Sequence, residues 1–255
     1  MSVGEVEGVQ VQAKKSRQNA RAAANDLDLY ERCAADWWNE DSAFSAALHD
    51  LNRLRLREIT GKIGGDFRGL VVDFGCGGGL IANPLARTGA RVVGFDLSLG
   101  SLRAGAANAR AQAIQPGFAR ADVCHAPIAD GCADLVICAD ILEHVPAWRV
   151  VLGECARVAK PGAWMYVDTI NRTRRARLLA VGLAEGLRFI PPGTHDHRMF
   201  VRPDELAEAG RACGWRLDHV MGRSLRLWAT LSERRLRLAP GRGIWGSYGA
   251  WMQRV

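Results

Sequence analysis

The sharpest chemistry in the sequence lies in two acids and a run of glycines: Asp73-Phe74-Gly75-Cys76-Gly77-Gly78-Gly79, with Asp96 closing the next apolar run. Glycines at 75 and 77 let the backbone turn tightly and approach a ligand that a Cβ would hold off. Their spacing opens a dinucleotide fingerprint, G-x-G-x-x-G, but Leu80 stands where the third glycine belongs. Asp73 would repel a pyrophosphate and attract an ammonium group, directly or through water. Asp96 is placed to accept both hydroxyls of a ribose. Ala121-Asp122-Val123 adds a third acid, able to accept an adenine amino group. An adenosine, a cationic amino acid and no phosphate together describe S-adenosylmethionine. Each acid alone reads as a helix cap or a solvated strand end, but the three in register favour one ligand.

These residues need strands and helices to hold them. Continuous apolar runs at 69–74, 91–96, 133–139 and 163–168 read as strands, with helical segments near 80–88, 100–112 and 147–158. Apolar strands alternating with helices imply a parallel sheet covered on both faces. Pro84 suits the first turn of the helix after the glycine loop, where its missing N–H has no partner to lose. Residues 26–63 read as helical from the spacing of Leu27, Tyr30, Cys33, Trp37 and Trp38, then Leu51, Leu54 and Ile59. Gly64-Gly65 stops them. Residues 1–24 read as a mobile basic tail, and 25–255 as one domain interrupted by an insertion at 172–203.

Composition bounds the function. The chain has 255 residues, 48% hydrophobic and 24% charged, with no apolar run of the ~20 residues a bilayer span requires. Seven irregularly spaced cysteines without a C-x-x-C pair point to a reducing compartment rather than to disulfides or zinc. A net charge of +7 admits nucleic acid, an anionic membrane or an acidic substrate as partner. Nucleic-acid binding would need basic residues interleaved with stacking aromatics, whereas the aromatics here fall in apolar runs and the acids sit at the glycine loop. No N-P-P-[YFW] motif follows the fourth strand, where Asp168-Thr169-Ile170-Asn171 stands instead.

The chain resembles class I S-adenosylmethionine-dependent methyltransferases, and more narrowly the UbiG-type ubiquinone-biosynthesis O-methyltransferases. The glycine loop is common to the superfamily. The narrower resemblance rests on Ala35-Asp36-Trp37-Trp38, Leu51-Asn52-Arg53-Leu54-Arg55, Leu142-Glu143-His144-Val145-Pro146, Asn171-Arg172 and Pro192-Gly193-Thr194-His195-Asp196. It implies an α/β, Rossmann-like doubly wound sheet of seven mostly parallel strands with an antiparallel final hairpin and helices on both faces. It also implies methyl transfer from S-adenosylmethionine to a phenolic hydroxyl of a polyprenylated catechol or quinol. Arg55, Gly75, Asp96 and Ala139 fall at positions where the family contacts the cofactor, Ala139 being smaller than the usual Met. Family members place a divalent cation, Mg²⁺ or similar, on a Glu-x-x-Glu-His pattern. Here the pattern reads Asp140-Ile141-Leu142-Glu143-His144, with the first carboxylate one methylene shorter.

Methyl transfer by in-line displacement needs alignment and a deprotonated phenol oxygen. A metal on adjacent oxygens, or a nearby histidine, would lower the cost of that oxyanion. Asp140 and Glu143, three residues apart, can share a helical face beside His144, or Glu143 and His144 can simply begin the next helix with His144 orienting substrate. His195 and Asp196 follow the rigid turn Pro191-Pro192-Gly193, which suits a base, a substrate-positioning pair or a loop-stabilising hydrogen bond. Residues 172–190 begin with Arg172, Arg174, Arg175 and Arg177 and continue with a Leu179, Leu183, Leu187, Ile190 stripe. Such a segment can lie in an anionic membrane interface or close over the site as a lid. In the resembling family this insertion is associated with lipid membranes. The expected location is therefore cytoplasmic, at the inner face of the membrane, with a homodimer left open. A UbiG-like enzyme acting on another phenol, such as a secondary metabolite, is the competing reading.

Overall fold

The structure is a computed structural model that describes residues 28–42, 44–178, 196–233, 237–241 and 243–255. The proposed tail, residues 179–195 of the insertion and His195 lie outside the described residues.

Eight strands form one mixed sheet. They are β1 (Leu70–Phe74), β2 (Arg91–Asp96), β3 (Gly117–Arg120), β4 (Ala133–Ala139), β5 (Ala159–Ile170), β6 (Trp215–Leu225), β7 (Leu238–Gly241) and β8 (Ser247–Arg254), in the order β3-β2-β1-β4-β5-β8-β6-β7. The pairs among β1 to β5 are parallel, and those of β5 with β8, β8 with β6 and β6 with β7 are antiparallel. Seven strands were expected, and the eighth is β7, a four-residue strand added at the edge. Gly117–Arg120, which is not among the four apolar runs read from the sequence as strands, is β3. Its four residues, half-buried at the opposite edge, carry too few apolar side chains to announce a strand.

From β1 the chain winds outward to β2 and β3, then crosses to β4 and β5 on the other side. This reversal opens a crevice at the carboxyl ends of β1 and β4, where open α/β sheets bind ligands. Side chains alternate across the sheet, so both faces are buried. Val136, Cys138, Met165 and Val167 face α5 (Trp148–Val158), while Leu135, Ile137 and Tyr166 join the core that holds Ile59 and Leu85. Ile59 belongs to α2 (Ala46–Ile63) and Leu85 to α3 (Ala82–Arg87). Between β2 and β3 runs α4 (Leu99–Ala111), whose first turn is capped by Ser98. No disulfide forms among the described residues.

The region read as helical over 26–63 is broken. It holds α1 (Asp28–Arg32), a 3-10 turn at Ala34–Asp36 and turns up to α2, which ends as expected at Gly64 with φ +82°. Of the insertion, the described parts include the single turn α6 (Arg174–Ala176), a 3-10 turn at His197–Met199 and the start of α7 (Pro203–Ala212). Leu227–Glu233 forms α8, between β6 and β7.

Candidate active site

A pocket opens at the crevice predicted by the strand order. Its lining includes Arg55, Asp73, Gly75, Gly77, Asp96, Val123, Ala139, Asp140 and His144. Residues from five separate stretches thus converge on one cavity.

The glycine loop builds its floor. Gly75 and Cys76 donate their backbone N–H groups to the Phe95 carbonyl (2.8 and 3.0 Å), tying the loop to β2. Gly75 and Gly77 have φ of +71° and +50°, and a Cβ on Gly77 would fall 2.5 Å from the Trp37 ring. No L side chain suits that position. Asp96 accepts from Gly77 N–H and Ser98 N–H, both at 2.8 Å, one on each carboxylate oxygen. Each oxygen keeps a lone pair, enough for a diol. Asp73 is buried, and burial together with Asp96 pushes its carboxyl up to about 8, against the pull of Arg55. It is a strong site for a cation that replaces its proton.

Arg55 enters from α2 and is 1% exposed. It grips Asp140 with two hydrogen bonds (2.5 and 2.6 Å) and donates to Asp168 (2.7 Å) and Asn52 (3.0 Å). Its buried Nε–H has no protein partner, a donor suited to a ligand carboxylate. Asp140 has φ +54°, uncommon for a residue with a Cβ, and costs of order 1–3 kcal/mol. Its own N–H on the Asp168 carbonyl (2.9 Å) and the Arg55 clamp hold it there.

The proposed metal set does not fit an ion in this arrangement. Both Asp140 oxygens are engaged by a buried guanidinium, and Glu143 lies under the pocket, accepting from the Thr169 hydroxyl (2.6 Å). Burial and then Asp140 push the Glu143 carboxyl up. Among the described residues, no group of three or more His, Cys, Asp or Glu side chains is placed to hold a metal.

His144 does line the pocket, with Tyr30 edge-on to it at 6.0 Å between ring centroids and the Tyr30 hydroxyl 3.4 Å from Nε2. Asp122 and Asp196 stay outside the pocket lining. The Asp122 carboxylate accepts from Cys124 N–H (2.9 Å), while Val123 beside it reaches the cavity. Asp196 caps the 3-10 turn and pairs with Arg198 (2.6 Å), the loop-stabilising role weighed for it above.

Sequence reasoning missed the cover of the pocket. Tyr30 and Trp37 line it from the N-terminal segment. Trp37 Nε1 donates to Ser101 Oγ (2.8 Å), Trp38 Nε1 donates to the Gly78 carbonyl (3.0 Å), and the Glu31 carboxylate accepts from Gly100 N–H (3.0 Å) and Ser98 Oγ (2.7 Å). The adjacent Trp37-Trp38 pair was the available signal.

A methyltransferase-domain profile matches residues 72–167, and with the fold and pocket this defines the class, an S-adenosylmethionine-dependent methyltransferase. The fold is shared with the magnesium protoporphyrin IX methyltransferase of Synechocystis PCC 6803, solved with SAH bound (TM-score 0.65, 18% identity, 94% of this chain and 100% of that one). A possible histamine N-methyltransferase from Thermotoga maritima shares it too (TM-score 0.63, 16% identity, 89% and 98%). In sequence, the chain is 36% identical over 212 residues to the ubiquinone biosynthesis O-methyltransferase of Serratia proteamaculans, covering 82% of this chain and 88% of that protein. Identity to the Escherichia coli protein of that name (strain ATCC 8739) is 38% over 196 residues, 76% and 81% of the two chains. The chain belongs to the ubiquinone biosynthesis O-methyltransferase family.

Proposed function

We propose that this chain methylates a phenolic hydroxyl of a polyprenylated catechol or quinol in ubiquinone biosynthesis, using S-adenosylmethionine. The observation that carries the proposal is the union, in one pocket, of a phosphate-averse adenosine cradle with an imidazole. Arg55 would hold the carboxylate of the cofactor, Asp73 its ammonium and Asp96 its ribose. Gly75 and Gly77 let the backbone come close, and Val123 and Ala139 offer apolar walls. The cofactor supplies a methyl group on an already activated sulfonium. His144 takes the phenol proton as the oxygen–carbon bond forms and the carbon–sulfur bond breaks, leaving the methyl ether and S-adenosylhomocysteine. Tyr30, its hydroxyl kept protonated by burial, can steady the imidazole or the acceptor oxygen.

The prenyl tail of such a substrate calls for a membrane. Exposed apolar groups gather at the carboxyl edge of the sheet, where the pocket opens: Leu178 after β5 (69% exposed), Trp245 before β8 (60%) and Trp228 on α8 (85%). The Arg175 guanidinium lies 4.6 Å from the Trp245 ring centroid. This pattern of aromatic, leucine and arginine supports peripheral contact with an anionic inner leaflet through 172–190. No helix among the described residues is long and apolar enough to cross a membrane.

Incubating the purified chain with S-adenosylmethionine and matched prenylated and unprenylated catechols tests the reaction. Mass spectrometry is expected to show O-methylation of the prenylated compounds, and His144→Ala to lower kcat by about 100-fold. Methylation confined to unprenylated phenols would transfer the proposal to another phenolic substrate.

A further inference from the structure

Behind the pocket lies a buried ionic chain of which the reaction as described uses only the last arginine, Arg55. Arg223, on β6, has a fully buried side chain. It donates to both Glu58 oxygens (2.8 and 2.6 Å), to the Tyr166 hydroxyl (2.8 Å) and to Asp168 Oδ2 (2.7 Å). Asp168 Oδ1 in turn accepts from Arg55 at 2.7 Å, and Arg55 clamps Asp140. Tyr166 donates to Glu58 (2.7 Å) and lies 3.3 Å from Asp168. An unbroken path of charge-assisted hydrogen bonds therefore runs from the antiparallel side of the sheet to the cofactor pocket.

Stability alone is a poor reason for such a chain. Desolvating two guanidiniums and three carboxylates is costly, and well-packed apolar residues commonly do as well in their place. The chain does something apolar residues cannot. Asp168 accepts from a guanidinium on each oxygen, and without Arg223 its second oxygen would compete for Arg55, drawing that guanidinium away from Asp140. We infer that Arg223 is a positioning residue of the cofactor site: it saturates Asp168, and through Asp168 it fixes the Arg55 guanidinium that faces the ligand. The inference rests on the reading of the pocket as the S-adenosylmethionine site. It also gives the β6–β8 region, which contributes no pocket-lining residue, a part in binding.

The test is calorimetric titration of wild type, Arg223→Met and Arg223→Lys with S-adenosylhomocysteine, alongside steady-state kinetics in both substrates. Arg223→Met is expected to raise Kd for S-adenosylhomocysteine and KM for S-adenosylmethionine by about 10-fold or more, leaving KM for the phenol within about twofold. Arg223→Lys keeps a cation on Asp168 while losing the fork that also reaches Glu58 and Tyr166. It should recover most of the lost affinity, which a purely structural role would not produce. A folded Arg223→Met, or an Arg223→Gln if Arg223→Met does not fold, that binds as wild type and shows an unchanged KM for S-adenosylmethionine overturns the inference. Wild type that fails to bind S-adenosylhomocysteine overturns the cofactor reading itself, and the inference with it.

Discussion

Asp73 sets the pH behaviour of the pocket. In the ligand-free protein its carboxyl titrates at about 8, far above the 3.8 of an unperturbed aspartate, because burial and Asp96 disfavour its charge. Below that pH the residue carries a proton, and an arriving ammonium favours the carboxylate and expels it. Cofactor binding at pH 6.5, where an α-ammonium is still charged, should therefore release close to one proton, and affinity should rise as pH climbs toward 8. Calorimetry in buffers of different ionisation enthalpy measures the release, which Asp73→Asn abolishes. The sign for stability is the reverse. A raised folded value means that the contribution of Asp73 is whole below the unfolded value and is lost as pH rises through about 8. Asp73→Asn should accordingly raise the melting temperature at pH 8.5 while weakening cofactor binding, a trade of stability for function.

At the scale of elements, the segment from α1 to Trp38 acts as a clamp on the glycine loop and on the first turn of α4. Trp37→Ala removes the ring that covers Gly77 and the bond to Ser101, so the cofactor should dissociate at least about tenfold faster in stopped-flow fluorescence. An unchanged off-rate would show that the cofactor leaves by another face. This clamp also marks where the sequence stopped being legible. The strands, the glycine loop and the acids at the ends of β1 and β2 are local patterns, and they were readable because periodicity and turn chemistry act over a few residues. Arg55 came into view through family resemblance, and the cover and the ionic chain did not come into view at all. Trp38 meets Gly78 across 40 positions, and Asp168 meets Arg55 and Arg223 across 113 and 55. Pairings at those separations leave no periodic trace. The metal expectation met the same limit, since the spacing of Asp140 and Glu143 cannot show that a distant arginine engages the first of them.

For the molecule as a whole, the net charge of +7 is unevenly committed. Arg55 and Arg223 are spent inside, Arg157 pairs with Glu154 and Asp130, Arg198 with Asp196, and Arg237 with Asp50 and Glu233. Arg174, Arg175 and Arg177 stand at the carboxyl edge beside the exposed Trp245 and Leu178. Co-sedimentation should therefore be strong with vesicles containing phosphatidylglycerol, weak with phosphatidylcholine alone, and reduced by salt. Replacing the three arginines by glutamate should release the protein at ~0.1 M salt without changing activity on a short-tailed phenol. Retention of the variant on anionic vesicles would remove the electrostatic part of the membrane proposal. The order of the sheet carries a last consequence, for biosynthesis. β8 is made after β6 and β7 yet lies between β5 and β6, so β6 has no place in the sheet until residues 247–254 have been synthesised. A nascent chain can lay down β1 to β5 and shape the glycine loop early, but β5 then presents an unpaired edge and Arg223 is still remote from Asp168. Competence to hold the cofactor tightly arrives late, with the insertion of one strand, and a chain released before it would have a recognisable pocket and little grip.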